Sequence, residues 1–486
     1  MSHHPFRTRL AAASTAALLT LFTVTACGAA ESGSSSSGST TTQTVAATTI
    51  DDTHADSNDG DYDASDATTI TLADGASTVD GDGASVDGDV VTITEAGTYI
   101  LSGTLTDGQI VVNSTGDGKV KLVLDGVDIT SATTEPIVIT EADEAVIILA
   151  DGSTNTVSDS AASSADDEEE DAPDATIFSM ADLTIAGSGS LTVNGNSADG
   201  IATKDGLVIL SGTIDVTAVD DGIRGKDYLV IEDGTITIAA GSKGLKSTNT
   251  DEGEYGWVQI DGGTVDITES TEGIQAPIFT INGGTLDIVA SDDGINTTSG
   301  TVEGGSEQAE DGVLLTIAGG TVEITAAKDG LDSNGAATIS GGTTVIHSDA
   351  GTGGGGDGPV DVNGDLESPA EASVTLDGAS AGDRVSLVGS DGSIAVSFVL
   401  ASDVTSFIVL SDALTADTDY TVYSGSADGT SADSTDGLTK GSTITATEVA
   451  TTGGGGGGGG GMGGGSRPSG GGPGGGGGTG TDGQGS

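Results

Sequence analysis

Residues 199–218 read DGIATKDGLVILSGTIDVTA, and residues 221–240 read DGIRGKDYLVIEDGTITIAA. Both stretches follow one pattern: a Gly-Ile pair, a short apolar run, a Gly-Thr pair and a second run in which apolar residues alternate with polar ones. Alternation with a period of two residues indicates β-strands whose side chains point in turn to the two faces of a sheet. These stretches therefore predict a repeating coil of short strands.

The Gly-Ile or Gly-Leu pair recurs along the chain, with its glycine at Gly200, Gly222, Gly244, Gly273, Gly294 and Gly330. The intervals are 22, 22, 29, 21 and 36 residues, and polar insertions at about 248–256 and 299–312 account for the longer ones. A period of this length is typical of a solenoid, in which each repeat packs only on its neighbours. We therefore expect one coil of 21–22 residues per repeat.

Aligned repeats place an aliphatic residue at the same three positions of every coil, beginning with Ile201, Ile209 and Val216. Such columns predict three strands per coil and ladders of isoleucine inside the stack. No helical period and no hexapeptide repeat occurs, and unequal strands favour the right-handed form. The predicted fold is all-β: a right-handed parallel β-helix followed by a small antiparallel β module.

The ends of the chain differ in composition from this core. Two arginines precede an apolar stretch, and Val24-Thr25-Ala26-Cys27 resembles a bacterial lipobox, which predicts export and lipidation at Cys27, the only cysteine. An ordinary signal peptide with a chance cysteine is the alternative. The predicted segments are a signal peptide (1–26), a flexible Ser/Thr/Asp-rich stalk (27–65), the β-helix (66–350), a Gly-rich linker (351–365), the β module (366–450) and a disordered Gly-rich tail (451–486).

The charge balance limits the partners. The chain has 75 acidic and 13 basic residues and a net charge of −62, which argues against nucleic acid because phosphate contacts need clustered Lys and Arg. Several of the few cations nevertheless fall on outward positions of adjacent coils: Lys204, Arg224, Lys226, Lys243 and Lys246. A strip of this kind suits an anionic polysaccharide; the alternative is that the cations only relieve neighbouring carboxylates.

Carboxylates recur beside the marker glycines, and the candidates for metal ligands are Asp199, Asp220, Asp221, Asp292, Asp293 and Asp329. Coils about 4.8 Å apart bring like charges together, and calcium neutralises such oxygen-rich sites well. A solvated acidic surface is the alternative. Tyr255 and Trp257 lie at the insertion of one coil and could stack on a sugar ring or pack back on the coils.

The segments Asp-Asp-Gly-Ile (220–223 and 292–295), Lys-Gly-Leu-Lys-Ser-Thr-Asn (243–249) and Glu-Gly-Ile-Gln-Ala (272–276) carry a family resemblance. The region 70–350 resembles the bacterial cell-surface carbohydrate-binding domain family. That resemblance implies a right-handed β-helix with bound calcium, kinship in fold with pectate lyases, and binding of cellulose or polygalacturonate without demonstrated catalysis.

The function expected from the sequence is a non-catalytic, calcium-supported cell-surface lipoprotein that binds plant cell-wall polysaccharide and is a monomer held at the membrane only by its lipid. A calcium-dependent polysaccharide lyase, with one of the strip cations as base, and a non-specific adhesin or spacer are the alternatives.

Replacement of the lipobox cysteine tests the predicted anchor. We expect Cys27→Ala to release the exported chain into the medium, because a single residue carries the lipid. Fractionation of cells and medium checks this, and a variant that stays with the membrane would contradict the lipobox interpretation.

Overall fold

The structure is a computed structural model that describes residues 53–160, 173–250, 256–300, 308–348 and 358–449. These residues form strands joined by turns and bends, and contain no helix. None of the described segments therefore offers a helix long and apolar enough to cross a membrane. The all-β prediction is confirmed, and most strands pair in parallel.

Equivalent strands of successive coils pair in three ladders. The first ladder begins with an antiparallel partner, Ala84–Asp87, and then runs in parallel. Its parallel strands are Val90–Ile93, Gln109–Asn113, Ile137–Glu141, Ala175–Ser179, Asp199–Thr203, Ile223–Gly225, Lys243–Ser247, Glu272–Ala276, Ile295–Thr297, Leu331–Ser333 and Val360–Val362.

The second and third ladders share two long strands, Gly97–Leu105 and Lys119–Thr130, which pass from one ladder to the other. Before them, Thr68–Leu72 pairs in parallel with Gly97–Leu105 and antiparallel with Thr78–Asp80. The second ladder continues through Glu144–Leu149, Leu183–Gly187, Gly206–Ile209, Tyr228–Ile231, Trp257–Ile260, Ile278–Ile281, Leu314–Ile317, Ala336–Ile339 and Leu366–Glu367. The third continues through Thr154–Ser158, Ser190–Gly195, Thr213–Ala218, Thr235–Ala240, Thr264–Glu269, Thr285–Ala290, Thr321–Ala326 and Thr343–Ser348.

The predicted aliphatic columns line the space between the ladders. Ile201 pairs with Ile223, Ile209 with Ile231 and Val216 with Ile238, and these side chains have no exposed surface. Burying an aliphatic side chain of this size contributes about 1.5–3 kcal/mol. The repeated columns therefore supply most of the core, as the sequence predicts.

The marker glycines stand where the first ladder meets the third. A Cβ added at Gly222 would lie 2.5 Å from Ile238 Cγ2 and 2.7 Å from the carbonyl oxygen of Gly244, the next marker glycine. A Cβ added at any marker glycine from Gly200 to Gly330 would meet the same two kinds of neighbour. These are an Ile or Val side chain of the third ladder and a backbone carbonyl oxygen of the next coil. The Gly-Ile pair thus allows the first ladder to pack directly on the third.

A C-terminal module covers the last coil. Ser406–Ser411 pairs antiparallel with Thr343–Ser348 and with Glu371–Thr375. A separate antiparallel sheet comprises Asp383–Gly389, Ile394–Val399, Asp419–Ser426 and Thr439–Thr445. The module thereby pairs the open edge of the third ladder, which would otherwise be free to pair with another chain.

Two predicted boundaries differ from the structure. Val360–Val362 extends the first ladder into the predicted linker 351–365. Its two valines pair with Leu331 and Ser333 of the preceding coil and continue the two columns to which those residues belong. Within the predicted stalk, residues 53–61 lie across the second ladder as an N-terminal strap, held by contacts between His54 and Tyr228 and between Asp59 and Lys119. The signal peptide, the tail and most of the stalk lie outside the described residues.

The glycine column gives a direct test of the packing. We expect Gly222→Ala to lower the free energy of unfolding by about 3 kcal/mol, because the new methyl group has no space and its neighbours include backbone. Gly116→Ala is the matched control, since a Cβ there meets nothing within 4 Å. Equal denaturation midpoints for the two variants would contradict the role of the column.

Candidate functional site

The outward face of the first ladder carries one polar side chain per coil in direct register. This first-ladder row begins after Ala202 and consists of Arg224, Lys246, Gln275, Asn296, Asp332 and Asp361. Its chemistry changes along the axis from cations through amides to carboxylates. Because adjacent parallel strands lie about 4.8 Å apart, these groups form a straight line of hydrogen-bonding side chains.

In the early coils the row neutralises a second line of carboxylates. Asp199 Oδ1 accepts the backbone N–H of Asp221 at 3.0 Å, and its Oδ2 accepts from Arg224 Nε at 2.7 Å. One coil later, Asp221 accepts the N–H of Lys243 at 3.0 Å and pairs with Lys246 Nζ at 2.7 Å. Each buried carboxylate is thus paired with the row cation of the following coil.

The remaining cations of the predicted strip differ in their environment. Lys204 Nζ lies 3.5 Å from Asp174 and 5.7 Å from the ring centre of Phe178, and Lys243 lies 3.9 Å from Glu272. Asp174 also pairs with Arg224 at 2.7 Å. Lys226 is exposed and has no ion pair with any described residue. Four of the five cations therefore lie beside carboxylates, as expected if the strip relieves the repulsion between neighbouring negative charges. Lys226 differs from them because it points to solvent.

The pairing also determines the protonation of Arg224. Burial alone would lower the pKa of its guanidinium, but the carboxylates of Asp199 and Asp174 outweigh burial and raise it. Arg224 is therefore held in its charged form.

The late coils reverse this arrangement. Asp329 donates its N–H to Asp293 at 3.1 Å, as Asp221 does to Asp199, but the row position that should supply a cation is Asp332. Burial raises the pKa of Asp332 to about 8, and the negative charges of Asp293 and Asp329 add to this effect. Asn296, the previous member of the row, has a buried Oδ1 that no described group contacts by a hydrogen bond. This end of the row lacks a cation of its own.

Two groups of carboxylates bring their oxygens within 4.8 Å of one another: Asp199 with Asp220 and Asp221, and Glu272 with Asp292 and Asp293. The first group contains the two carboxylates already paired with Arg224 and Lys246. In the second group Lys328 pairs with Asp292 at 2.5 Å. The predicted ligand Asp329 lies one coil beyond the second group.

The aromatic residues lie on the neighbouring second ladder. The Trp257 ring stacks on Tyr228 with centroids 4.8 Å apart, and the Tyr228 hydroxyl lies 2.8 Å from His54 Nδ1 of the N-terminal strap. Trp257 is half-buried, so one of its faces is already used for packing. Tyr255, the other predicted stacking residue, lies outside the described residues.

Sequence reasoning did not select Glu272, Asn296 and Asp332 as ligands. Asn296 and Asp332 belong to the same column as Arg224 and Lys246. The feature of the sequence that could have identified them is that a carboxylate replaces the cation of this column in the later repeats. The strap contacts had no such signal, because the composition around His54 is that of a flexible segment.

Comparison with known proteins places these features in context. The family profile described as "Carbohydrate-binding domain-containing protein" matches residues 87–356. A relative of the same description from Acetivibrio thermocellus is 45% identical over 195 residues, which cover 40% of this chain and 68% of the relative. A solved structure described as that of the polysaccharide lyase-like protein from C. thermocellum, gadolinium derivative, is 30% identical with a TM-score of 0.43, covering 62% of this chain and 96% of that chain.

Proposed function

Because the chain belongs to the family of carbohydrate-binding domain-containing proteins, we propose that it is a non-catalytic, calcium-supported lipoprotein of the cell surface that binds plant cell-wall polysaccharide. Polygalacturonate and cellulose are the ligands we propose. The stack of coils is, in this proposal, a right-handed parallel β-helix, and Cys27 carries the lipid.

The first-ladder row is the observation that carries this proposal. A polymer lying along the axis would meet one hydrogen-bonding side chain on each coil, in the order Arg224, Lys246, Gln275 and Asn296. Amide and guanidinium groups hydrogen-bond to sugar hydroxyls and carboxylates. Lys226, exposed beside the row, adds a free positive charge for a uronate.

The positions of the long connections support the same face. The undescribed segments 161–172, 251–255, 301–307 and 349–357 all interrupt connections that enter or leave the first ladder. From the strand Gly206–Ile209 onward the second and third ladders are joined by three-residue turns, as at 210–212 and 282–284. Insertions concentrate where a scaffold carries its function, so we place the binding site on the first ladder.

Calcium would act at the late end of the row. The carboxylates of Glu272, Asp292 and Asp293 bring their oxygens within 4.8 Å of one another, and Asp332 and the amide oxygen of Asn296 would complete a donor set made only of oxygen, as calcium prefers. The metal would replace the cation that Arg224 and Lys246 supply in earlier coils. It would hold the coils together and offer open coordination positions to a uronate carboxylate.

Restoring a cation to the row tests the calcium proposal. We expect calcium to raise the melting temperature of the parent protein. At a calcium concentration of one hundred times Kd, binding to the folded state alone stabilises that state by about 2.7 kcal/mol. Asp332→Lys places an ammonium opposite Asp293, as Lys246 stands opposite Asp221. We expect this variant to be more stable than the parent in chelator and no longer to respond to calcium.

The matched control is Asp220→Asn, which changes an exposed carboxylate of the first acidic group. It should respond to calcium as the parent does. A parent melting temperature that is the same in calcium and in chelator would remove calcium from the proposal.

The free lysine tests the ligand contact. We expect Lys226→Ala to weaken binding to polygalacturonate three- to tenfold, about 1 kcal/mol, and to leave the fold intact because the side chain is exposed. Lys440→Ala removes an equally exposed lysine from the C-terminal module and is the control. Affinity electrophoresis in gels containing polygalacturonate measures both, and equal mobility shifts would contradict the placement of the site.

Co-sedimentation of the parent protein with insoluble cellulose and insoluble pectin tests the function itself. Retention on either polysaccharide, without release of unsaturated sugars from polygalacturonate in calcium, is the expected result. Absence of binding to both, or formation of unsaturated product, would contradict a non-catalytic binding function.

A further inference from the structure

The third ladder presents a different face to solvent. Its first outward column holds a hydroxyl on eight consecutive coils, and we call it the hydroxyl column: Thr154, Ser190, Thr213, Thr235, Thr264, Thr285, Thr321 and Thr343. Two residues further on lies the acid–threonine column: Asp128, Thr156, Thr192, Asp215, Thr237, Asp266, Asp287 and Glu323. The hydroxyl column consists only of Ser and Thr, and neither column contains a basic residue. Beyond Glu323 the acid–threonine column ends at Val345, which is buried beneath the C-terminal module.

Strand propensity alone does not account for this composition. Threonine suits a strand because it is β-branched, but valine and isoleucine suit it equally well. The outward positions of the second ladder show this, since Val208 and Val230 occupy them under Ala55 of the N-terminal strap. A column of hydroxyls over eight consecutive coils therefore selects the oxygen atom and not only the branched shape.

The hydroxyls form a regular and accessible array. Coils are spaced by about 4.8 Å and the two columns by about 6.7 Å along each strand. Thr213, Thr235 and Thr264 are exposed, and among the described residues none of their hydroxyls has a protein partner. The C-terminal module reaches only the end of the face, where Glu323 accepts the N–H of Ala401 at 2.7 Å.

The charge of this face determines which polymer it suits. Asp215, Asp266 and Asp287 lie in the middle of the array without a neighbouring cation in either column. A polyuronate would be repelled by these carboxylates at the short distances of a docked chain. An uncharged polysaccharide has hydroxyls that donate to the carboxylates and both donate to and accept from the threonines.

We propose that the third-ladder face is a second polysaccharide-binding surface, which takes an uncharged polysaccharide presented as an ordered surface of hydroxyls. This inference rests on the proposed function and divides its ligands between two faces. The first ladder takes the anionic chain, with Lys226 and calcium. The third ladder takes the neutral one, so a single molecule can join two different polysaccharides.

Replacing the hydroxyls without changing the shape tests this division. A variant with Thr213→Val, Thr235→Val, Thr264→Val and Thr285→Val keeps β-branched residues at outward strand positions, of which the first three are exposed and the fourth is half-buried. We expect it to bind microcrystalline cellulose about tenfold or more weakly, because each lost hydrogen bond contributes about 0.5–1.5 kcal/mol. Its binding to polygalacturonate should equal that of the parent.

Two further variants control for stability and for hydroxyl chemistry. The same four positions changed from Thr to Ser keep the oxygen and should keep binding to cellulose. Thr316→Val with Thr338→Val changes outward threonines of the second ladder and should affect neither ligand. Unfolding midpoints measured in parallel show whether a loss of binding follows from a loss of fold.

Cellulose binding by the four-valine variant that equals the parent's would overturn the inference, and so would an equal loss on both polysaccharides. A parent protein that binds polygalacturonate but no cellulose would also overturn it, while leaving the proposed function in place. A parent that binds neither would remove the proposed function, and this inference with it.

Discussion

The close approach of the first ladder to the third is the constraint on which the rest of the structure depends. At each marker glycine a backbone without a side chain lies against an Ile or Val of the third ladder and over a carbonyl of the next coil, which belongs to the next marker glycine or, at Gly330, to Pro359. A residue with a Cβ at this position would force the ladders apart. Repetition of the glycine from Gly200 to Gly330 therefore holds these coils in the same register, and the register in turn aligns the outward side chains into columns.

Aligned columns explain why the charges are arranged as they are. Like carboxylates stacked about 4.8 Å apart repel one another and need a counter-charge. In the early coils the chain supplies it, since Arg224 and Lys246 each reach back to the aspartate of the preceding coil. In the late coils Asp332 stands at the same position and no basic residue of the row remains. One repeating geometry thus produces early coils whose row cations pair with carboxylates and late coils whose row holds a carboxylate in place of the cation.

The sequence predicted the strands, the aliphatic columns and the acidic groups because each depends on a local period that a single chain displays. It predicted that Lys204, Arg224, Lys243 and Lys246 share one face but did not show that they pair with carboxylates, since pairing depends on side chains of adjacent coils. It missed the strap because His54 and Asp59 lie in a segment of flexible composition, and their partners Tyr228 and Lys119 are far along the chain.

Anomalous X-ray diffraction from crystals grown in calcium tests the central claim most directly, because it locates the metal relative to the repeating register. We expect a peak between Asp293 and Asp332, bounded by Glu272 and Asn296. We expect no peak between Asp199 and Asp221, because Arg224 and Lys246 already provide the positive charge there. A peak in the early coils with none in the late coils would contradict the claim that the register and the row residue together decide where the molecule needs a metal.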